Sequence, residues 1–273
     1  MIMKKKYKQI ICAILAASLC LCLCACGRRT DGYGVNSIDV IVEQDYSLAF
    51  RNDDPLYFYL TGAIEVLNAQ GKVAELSAKW LGGEKLNFES NAEALDTYNI
   101  EPRTLIIGVD INSFPMVYIS NGTFWGFDIE LAQAACDLLG WTLQAQSIEK
   151  ENVYNELASG NIDVAWGGIA LDESEIDEGL YTQYGPYIHN DIVIAVRDSS
   201  TYWNVNRLKG KTLAMPSTTE ARLALESDPK LLKNLGNVIR LVNGTTDCFS
   251  YLYAGSCDAI LTDTTAILYY NHH

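Results

Sequence analysis

A two-lobed α/β fold is what this 273-residue sequence predicts. Strand-like and helix-like stretches alternate from Thr104 onward, the pattern of parallel strands with helices laid across their faces. The alternation comes as two sets that meet around residues 188–192. Ligands on open α/β sheets bind beyond the carboxyl ends of the strands, so two such sets imply a cleft between two lobes. Hydrophobic residues make up 49% of the chain and aromatic residues 10%, which supports two cores and excludes a disordered chain.

The first 25 residues lie outside this fold. Lys4, Lys5, Lys6 and Lys8 precede an apolar stretch from Ile10 to Ala25, the layout of an export signal rather than of a lasting membrane span. Leu23-Cys24-Ala25-Cys26-Gly27 resembles a bacterial lipobox, with Cys26 as the thiol that carries lipid and Cys24 as the other candidate. Residues 26–35 are then a short polar tether. The expected location is extracytoplasmic, with membrane contact through acyl chains only. Loss of the leader takes four lysines from 20 basic residues and leaves all 34 acidic ones, a net charge of -18. Such a chain repels phosphate backbones, so nucleic acid is excluded as a partner.

Four of the eight cysteines belong to the leader and Cys26 is the lipobox thiol, which leaves Cys136, Cys248 and Cys257. The three histidines, His189, His272 and His273, show no metal-ligand spacing with them, so no metal or other cofactor is expected. Cys248 and Cys257 are either a disulfide or two buried thiols.

The elements follow from local pattern. Ile38 to Val42 and Tyr46 to Phe50 are strand-like. Asp53-Asp54-Pro55 starts a helix, with a carboxylate to cap free amides and a proline preset for the first turn. Leu56, Leu60, Ala63, Ile64 and Leu67 recur at helical spacing until Gly71, and Val73 to Trp80 gives a second helix. Residues 84–103 are acidic and aperiodic, a connector. The first alternating set is strand 104–109, helix 128–139, strand 141–146, helix 152–159 and strand 162–166. After an acid-rich loop, one strand over 189–196 leads to the second set: strand 211–215, helix 219–226, strand 238–242, helix 246–254, strand 258–261 and helix 264–270.

Several short motifs carry a family resemblance. Ile107-Gly108-Val109-Asp110, Phe114-Pro115-Met116 and Gly126-Phe127-Asp128-Ile129-Glu130 come in order, followed by Gly160-Asn161-Ile162-Asp163, Trp166-Gly167-Gly168 and Pro186-Tyr187. Leu208-Lys209-Gly210-Lys211, Gly255-Ser256-Cys257-Asp258-Ala259 and Thr262-Asp263 complete the series. Together they resemble the family 3 extracellular solute-binding proteins, which feed amino acids to ABC importers. The resemblance implies a type II periplasmic-binding-protein-like fold, a monomer, a small-molecule ligand and an ABC permease as partner.

The order departs from that family. Its closing strand, Asp-Pro helix start and terminal Trp-x-Gly stand first here, as Tyr46 to Arg51, Asp54-Pro55-Leu56 and Lys79-Trp80-Leu81-Gly82. The chain therefore resembles a circular permutant in which residues 84–103 join the old ends. Lobe 1 is then 47–189, and lobe 2 is 36–46 with 190–271.

The resemblance also implies the ligand contacts: Phe114 as stacking aromatic, the Trp166 to Gly168 loop, Thr218 and Thr219 as an anion-holding turn, and Asp263 as acceptor for an ammonium. Ala170 and Glu175 stand where the family places a threonine and a carboxylate-clamping arginine. Other roles stay open at these positions: helix capping for Asp263 and Thr218, core packing for Phe114, a solvated loop for the acids around Glu175. The function implied is delivery of a small polar amino-acid or amine-like solute by lobe closure. Its rivals are a surface sensor without transport and a dehydratase-like enzyme, the latter disfavoured because no nucleophile–base pair is present.

Overall fold

A computed structural model describes residues 34–171 and 173–273, so Cys24, Cys26 and most of the tether lie outside the described residues. In chain order, β1 (Val35–Val42) and β2 (Asp45–Phe50) precede helices α1 (Leu56–Ala69) and α2 (Lys72–Trp80). Strand β3 (Thr104–Val109) and a hairpin of β4 (Tyr118–Ser120) and β5 (Thr123–Trp125) lead to α3 (Phe127–Leu139). Then come β6 (Thr142–Ser147), α4 (Val153–Ser159), β7 (Val164–Ala165), the short α5 (Glu173–Asp177) and β8 (Thr182–His189). The rest is β9 (Ile192–Arg197), β10 (Thr212–Pro216), α6 (Thr219–Ser227), α7 (Pro229–Asn234), β11 (Asn237–Leu241), α8 (Thr245–Tyr253), β12 (Ala259–Asp263) and α9 (Thr264–His272).

These strands form two five-stranded sheets, β6-β3-β7-β2-β8 and β1-β9-β12-β10-β11. In the first, β3 lies parallel to β6 and β7, while β2 enters antiparallel between β7 and β8. In the second, β10 lies parallel to β11 and β12, and β9 runs antiparallel to β12 and β1. Both sheets keep their central strands dry, so Leu48, Phe50, Ile107 and Val164 on one side and Ile194, Leu213 and Ile260 on the other are almost fully buried.

The two sheets exchange the chain twice, between β1 and β2 and between β8 and β9. The crossings are tied together, because Asn190 N–H donates to the Gln44 carbonyl at 2.9 Å and Gln44 N–H to Asp191 Oδ1 at 3.2 Å. The strand expected over 189–196 is β9, which starts at Ile192, while His189 ends β8 in the other sheet, a strand over 182–189 where a loop was expected; the chain breaks at Asn190 and Asp191 because one that changes sheets cannot keep one ladder. Tyr46 pairs with Ile188, so the switch of sheets falls at Glu43–Gln44, before the expected boundary. The hairpin, α5 and α7 were not legible either, being too short to show a period.

The connector carries neither helix nor strand, yet it is part of the core. Leu86 and Phe88 are buried, and the Phe88 ring stacks on Tyr187 at 5.0 Å and 10°. Asn87 N–H donates to the Tyr187 carbonyl at 2.9 Å, and Asn68 Nδ2 donates to the Phe88 carbonyl at 2.9 Å. At the other end, Asn271 at the close of α9 accepts from Val35 N–H at 2.8 Å and donates to the Val35 carbonyl at 2.9 Å. Tyr269 of α9 stacks on Trp80 of α2 with centroids 6.0 Å apart, an aromatic seam between the lobes.

Candidate functional site

A cleft of about 670 Å³ opens between the sheets, lined from one side by Asp110, Asn112, Glu149 and Lys150 and from the other by Thr218, Thr219 and Glu220. A narrower recess continues inward past Asn112 and Glu220 to Thr245, Thr262 and Asp263. Each wall is built at the carboxyl end of a strand. Asp110 follows β3, Glu149 and Lys150 follow β6, Thr218 to Glu220 follow β10, and Asp263 ends β12. That is where open α/β sheets leave main-chain groups and loops free for a ligand.

The cleft is acidic. Asp110, Glu149, Glu151, Glu220 and Asp263 face one ammonium, that of Lys150, among the described lining residues. Lys150 Nζ stands 3.8 Å from Glu220 Oε1 across the opening. Burial pushes Asp110 up to about 6; Asn112 N–H and Asn112 Nδ2, donating to Oδ1 at 2.9 and 3.2 Å, pull the other way, while Glu220 adds to the rise. Asp263 is raised well above the usual carboxylate range by burial first and then by Glu220 and Asp110, although part of its surface still faces the cleft. Such a set gains most from a bound cation, which restores the charge balance that burial removed.

Asp263 has no capping duty. It precedes α9, but its side chain caps no amide of that helix. Asn190 Oδ1 instead accepts from Thr265 N–H at 3.0 Å, and the Asp191 carbonyl accepts from Thr264 N–H at 3.0 Å. The Asp263 carboxylate is thus left for the cleft. Thr218 does cap: its Oγ1 accepts from Ala221 N–H at 3.2 Å, and Thr219 beside it is exposed to the cleft.

The other sequence candidates lie elsewhere. Phe114 turns toward α9 and packs edge-on to Tyr269 at 4.8 Å and to Tyr118 at 5.3 Å. Trp166 is fully buried, with Nε1 donating to Asp128 Oδ1 at 3.3 Å, and Gly168 N–H donates to Asp128 Oδ2 at 2.9 Å. Gly168 has φ 62, and a Cβ there would lie 1.7 Å from Ser113 Oγ, so the loop packs where only glycine fits. Ala170 is buried and bridges to Tyr46, and Glu175 sits on α5 with its carbonyl accepting from Leu180 N–H at 3.1 Å. None of these five lines the cleft or its recess.

Asp110, Glu149, Lys150 and Glu220 were missed as individual contacts. The signal that finds them is simple: each is among the first polar residues beyond the carboxyl end of a strand, and three are acids in an acidic chain.

Two α/β sheets joined by paired crossings around an open cleft define a two-lobed solute-binding fold. The model of the bacterial extracellular solute-binding proteins, family 3, matches residues 105–247, just over half of the chain, and the chain belongs to that family. Its members are binding proteins, not enzymes, which sets aside the dehydratase-like alternative. The chain is similar to the probable amino-acid-binding protein YxeM of Bacillus subtilis (strain 168), at 26% identity over 169 residues covering 62% of each chain. It is also similar to the arginine-binding extracellular protein ArtP of the same organism, at 24% identity over 113 residues covering 41% of this chain and 44% of that one. The match thus spans less than two thirds of either relative. Among solved structures, an ABC uptake transporter substrate-binding protein from Streptococcus pneumoniae with bound histidine aligns at 26% identity and a TM-score of 0.46, over 61% of this chain and 68% of that one. No helix of the described residues is long and apolar enough to cross a membrane.

Proposed function

We propose that this protein captures a small cationic solute, an amine or amino-acid derivative, outside the cytoplasm and hands it to an ABC importer when the lobes close. The observation that carries the reading is Asp263: a carboxylate at the bottom of the cleft, raised by burial and by neighbouring acids and spared from capping. No arginine lines the cleft among the described residues, so a free carboxylate on the ligand would meet only hydroxyls, amides and repelling acids. The amino-acid-binding and arginine-binding relatives support the solute class in its coarser form.

The same reading has Cys26 carry the lipid that holds the protein at the membrane surface. It also has the chain as a circular permutant of the family's usual order. Support for this comes from β2, which fills the place between β7 and β8, and from Asn271, which binds the backbone of Val35 where the old order would run on. Thermal-shift measurements with free amino acids, their amides and simple amines test the solute class. Amines and amides stabilise the protein at least as well as free amino acids, and Asp263→Asn removes the effect. Tight binding of a free acidic amino acid that ignores Asp263→Asn would refute it.

A further inference from the structure

We infer that the cleft is built for a ligand with two cationic ends joined by an aliphatic chain and without a carboxylate, a diaminoalkane-like solute. The inference rests on the cleft being the solute site and narrows what enters it.

The negative charge is arranged at two ends. The inner end is Asp263 in the recess, beside Thr262, which is 3% exposed and whose buried Oγ1 has no hydrogen-bond partner. An ammonium there offers three donors, enough to reach a carboxylate and an idle hydroxyl together. The outer end gathers Glu149 and Glu151, with Asp110 from the same lobe and Glu220 from the other lying between them and Asp263, whose carboxyl both of these acids raise. Glu220, Asn112, Thr218 and Ile192 line both spaces, so the two ends adjoin across these four side chains.

The walls between the ends are aliphatic. Val42, Ile111, Ile148, Ile192 and Leu223 supply them, and no aromatic ring lines the cleft among the described residues. A flat or guanidinium-bearing ligand gains by stacking on a ring, whereas a methylene chain gains by contact with aliphatic groups. A space of about 670 Å³ also far exceeds what one ammonium group fills.

Lys150 marks the outer position. Its ammonium is the one cation among the described lining residues, and it approaches Glu220 across the opening at 3.8 Å. Both side chains are more than a third exposed, so this pair contributes little and a ligand ammonium displaces it readily. Lys150 thus stands in for the distal cation while the cleft is open.

Titration calorimetry on the full chain tests this with 1,3-diaminopropane through 1,8-diaminooctane, butylamine as single cation, and L-lysine as a dication with a carboxylate. At least one diamine binds tenfold or more tightly than butylamine and than lysine. Asp263→Asn and Glu220→Gln, the latter on an exposed helix position that folding does not need, each bring that diamine to the butylamine level. Lys150→Met tightens the diamine several-fold. Butylamine equal to every diamine, or lysine tightest of all, overturns the two-ended assignment while leaving a cationic solute site. Unchanged or weaker diamine binding in Lys150→Met overturns the competing role given to Lys150 and with it the outer end. No binding of any amine or amino acid overturns this inference and the proposed function together.

Discussion

Replacing Asp128 with asparagine should change how the stability of this protein depends on pH. Asp128 is fully buried on α3, and the groups that reach it are neutral donors. Tyr187 Oη donates to its two oxygens at 2.8 and 2.9 Å, Gly168 N–H at 2.9 Å and Trp166 Nε1 at 3.3 Å. Burial still outweighs these donors and raises the carboxyl from 3.8 to about 7. The folded state therefore holds the proton more tightly than the unfolded state. The cost is absent below pH about 4, builds as pH rises from 4 to 7, and is complete above 7. At about 1.4 kcal/mol per pH unit over that interval, it is on the order of 4 kcal/mol. An amide cannot ionise, so Asp128→Asn should gain about that much stability relative to the native protein between pH 4 and pH 8, whatever fixed offset the amide introduces. Urea denaturation of both proteins at half-unit pH steps reads this as a changing difference between two curves. A difference that stays constant from pH 4 to pH 8 would mean that Asp128 titrates normally, and the reasoning fails.

Asp110, raised to about 6, should contribute up to a tenfold-per-unit climb in affinity for a cationic solute as pH rises toward 6; Asp110→Asn should remove that part of the profile in calorimetry. Phe88→Ala removes a buried ring from its stack on Tyr187 and should cost about 3–5 kcal/mol in chemical denaturation; a loss under 1 kcal/mol would make the connector a mere tether. Cys26→Ser should move the protein from the membrane fraction to the soluble one, and acylation that persists with Cys24 and Cys26 both replaced would exclude the anchor.

The long alternating segments were readable because a buried strand or an amphipathic helix repeats its signal over several residues. The α3 face of Ala132, Ala135, Cys136 and Leu139 is such a case, and all four are buried. What could not be read was decided by contacts between distant segments. Phe114 stands in a motif that implied a ligand-facing ring, yet it packs against Tyr269, 155 residues later. Trp166 and Gly168 likewise donate to the buried Asp128, about forty residues earlier in the chain. The acids that do meet in the cleft come from β3, β6, β10 and β12. The resemblance singled out Asp263 alone, and only the folding of two sheets around one opening makes the others a group with it. The connector offered no period because it lies along the core as an irregular strap, held by Leu86 and Phe88.

The paired crossings at Gln44 and Asn190 have a mechanical meaning. A single strand between lobes would act as a swivel, free to twist as well as bend. Two strands bound to each other by the Asn190–Gln44 hydrogen bond act as a door with two pins, which opens about one axis. The closure proposed above would then follow one path, with the residues that meet across the opening fixed in advance. Glu220 already faces Lys150 across the opening at 3.8 Å, and motion about one axis keeps them opposed. Less orientational freedom is lost when the door shuts, so more of the contact energy between solute and walls is kept as affinity.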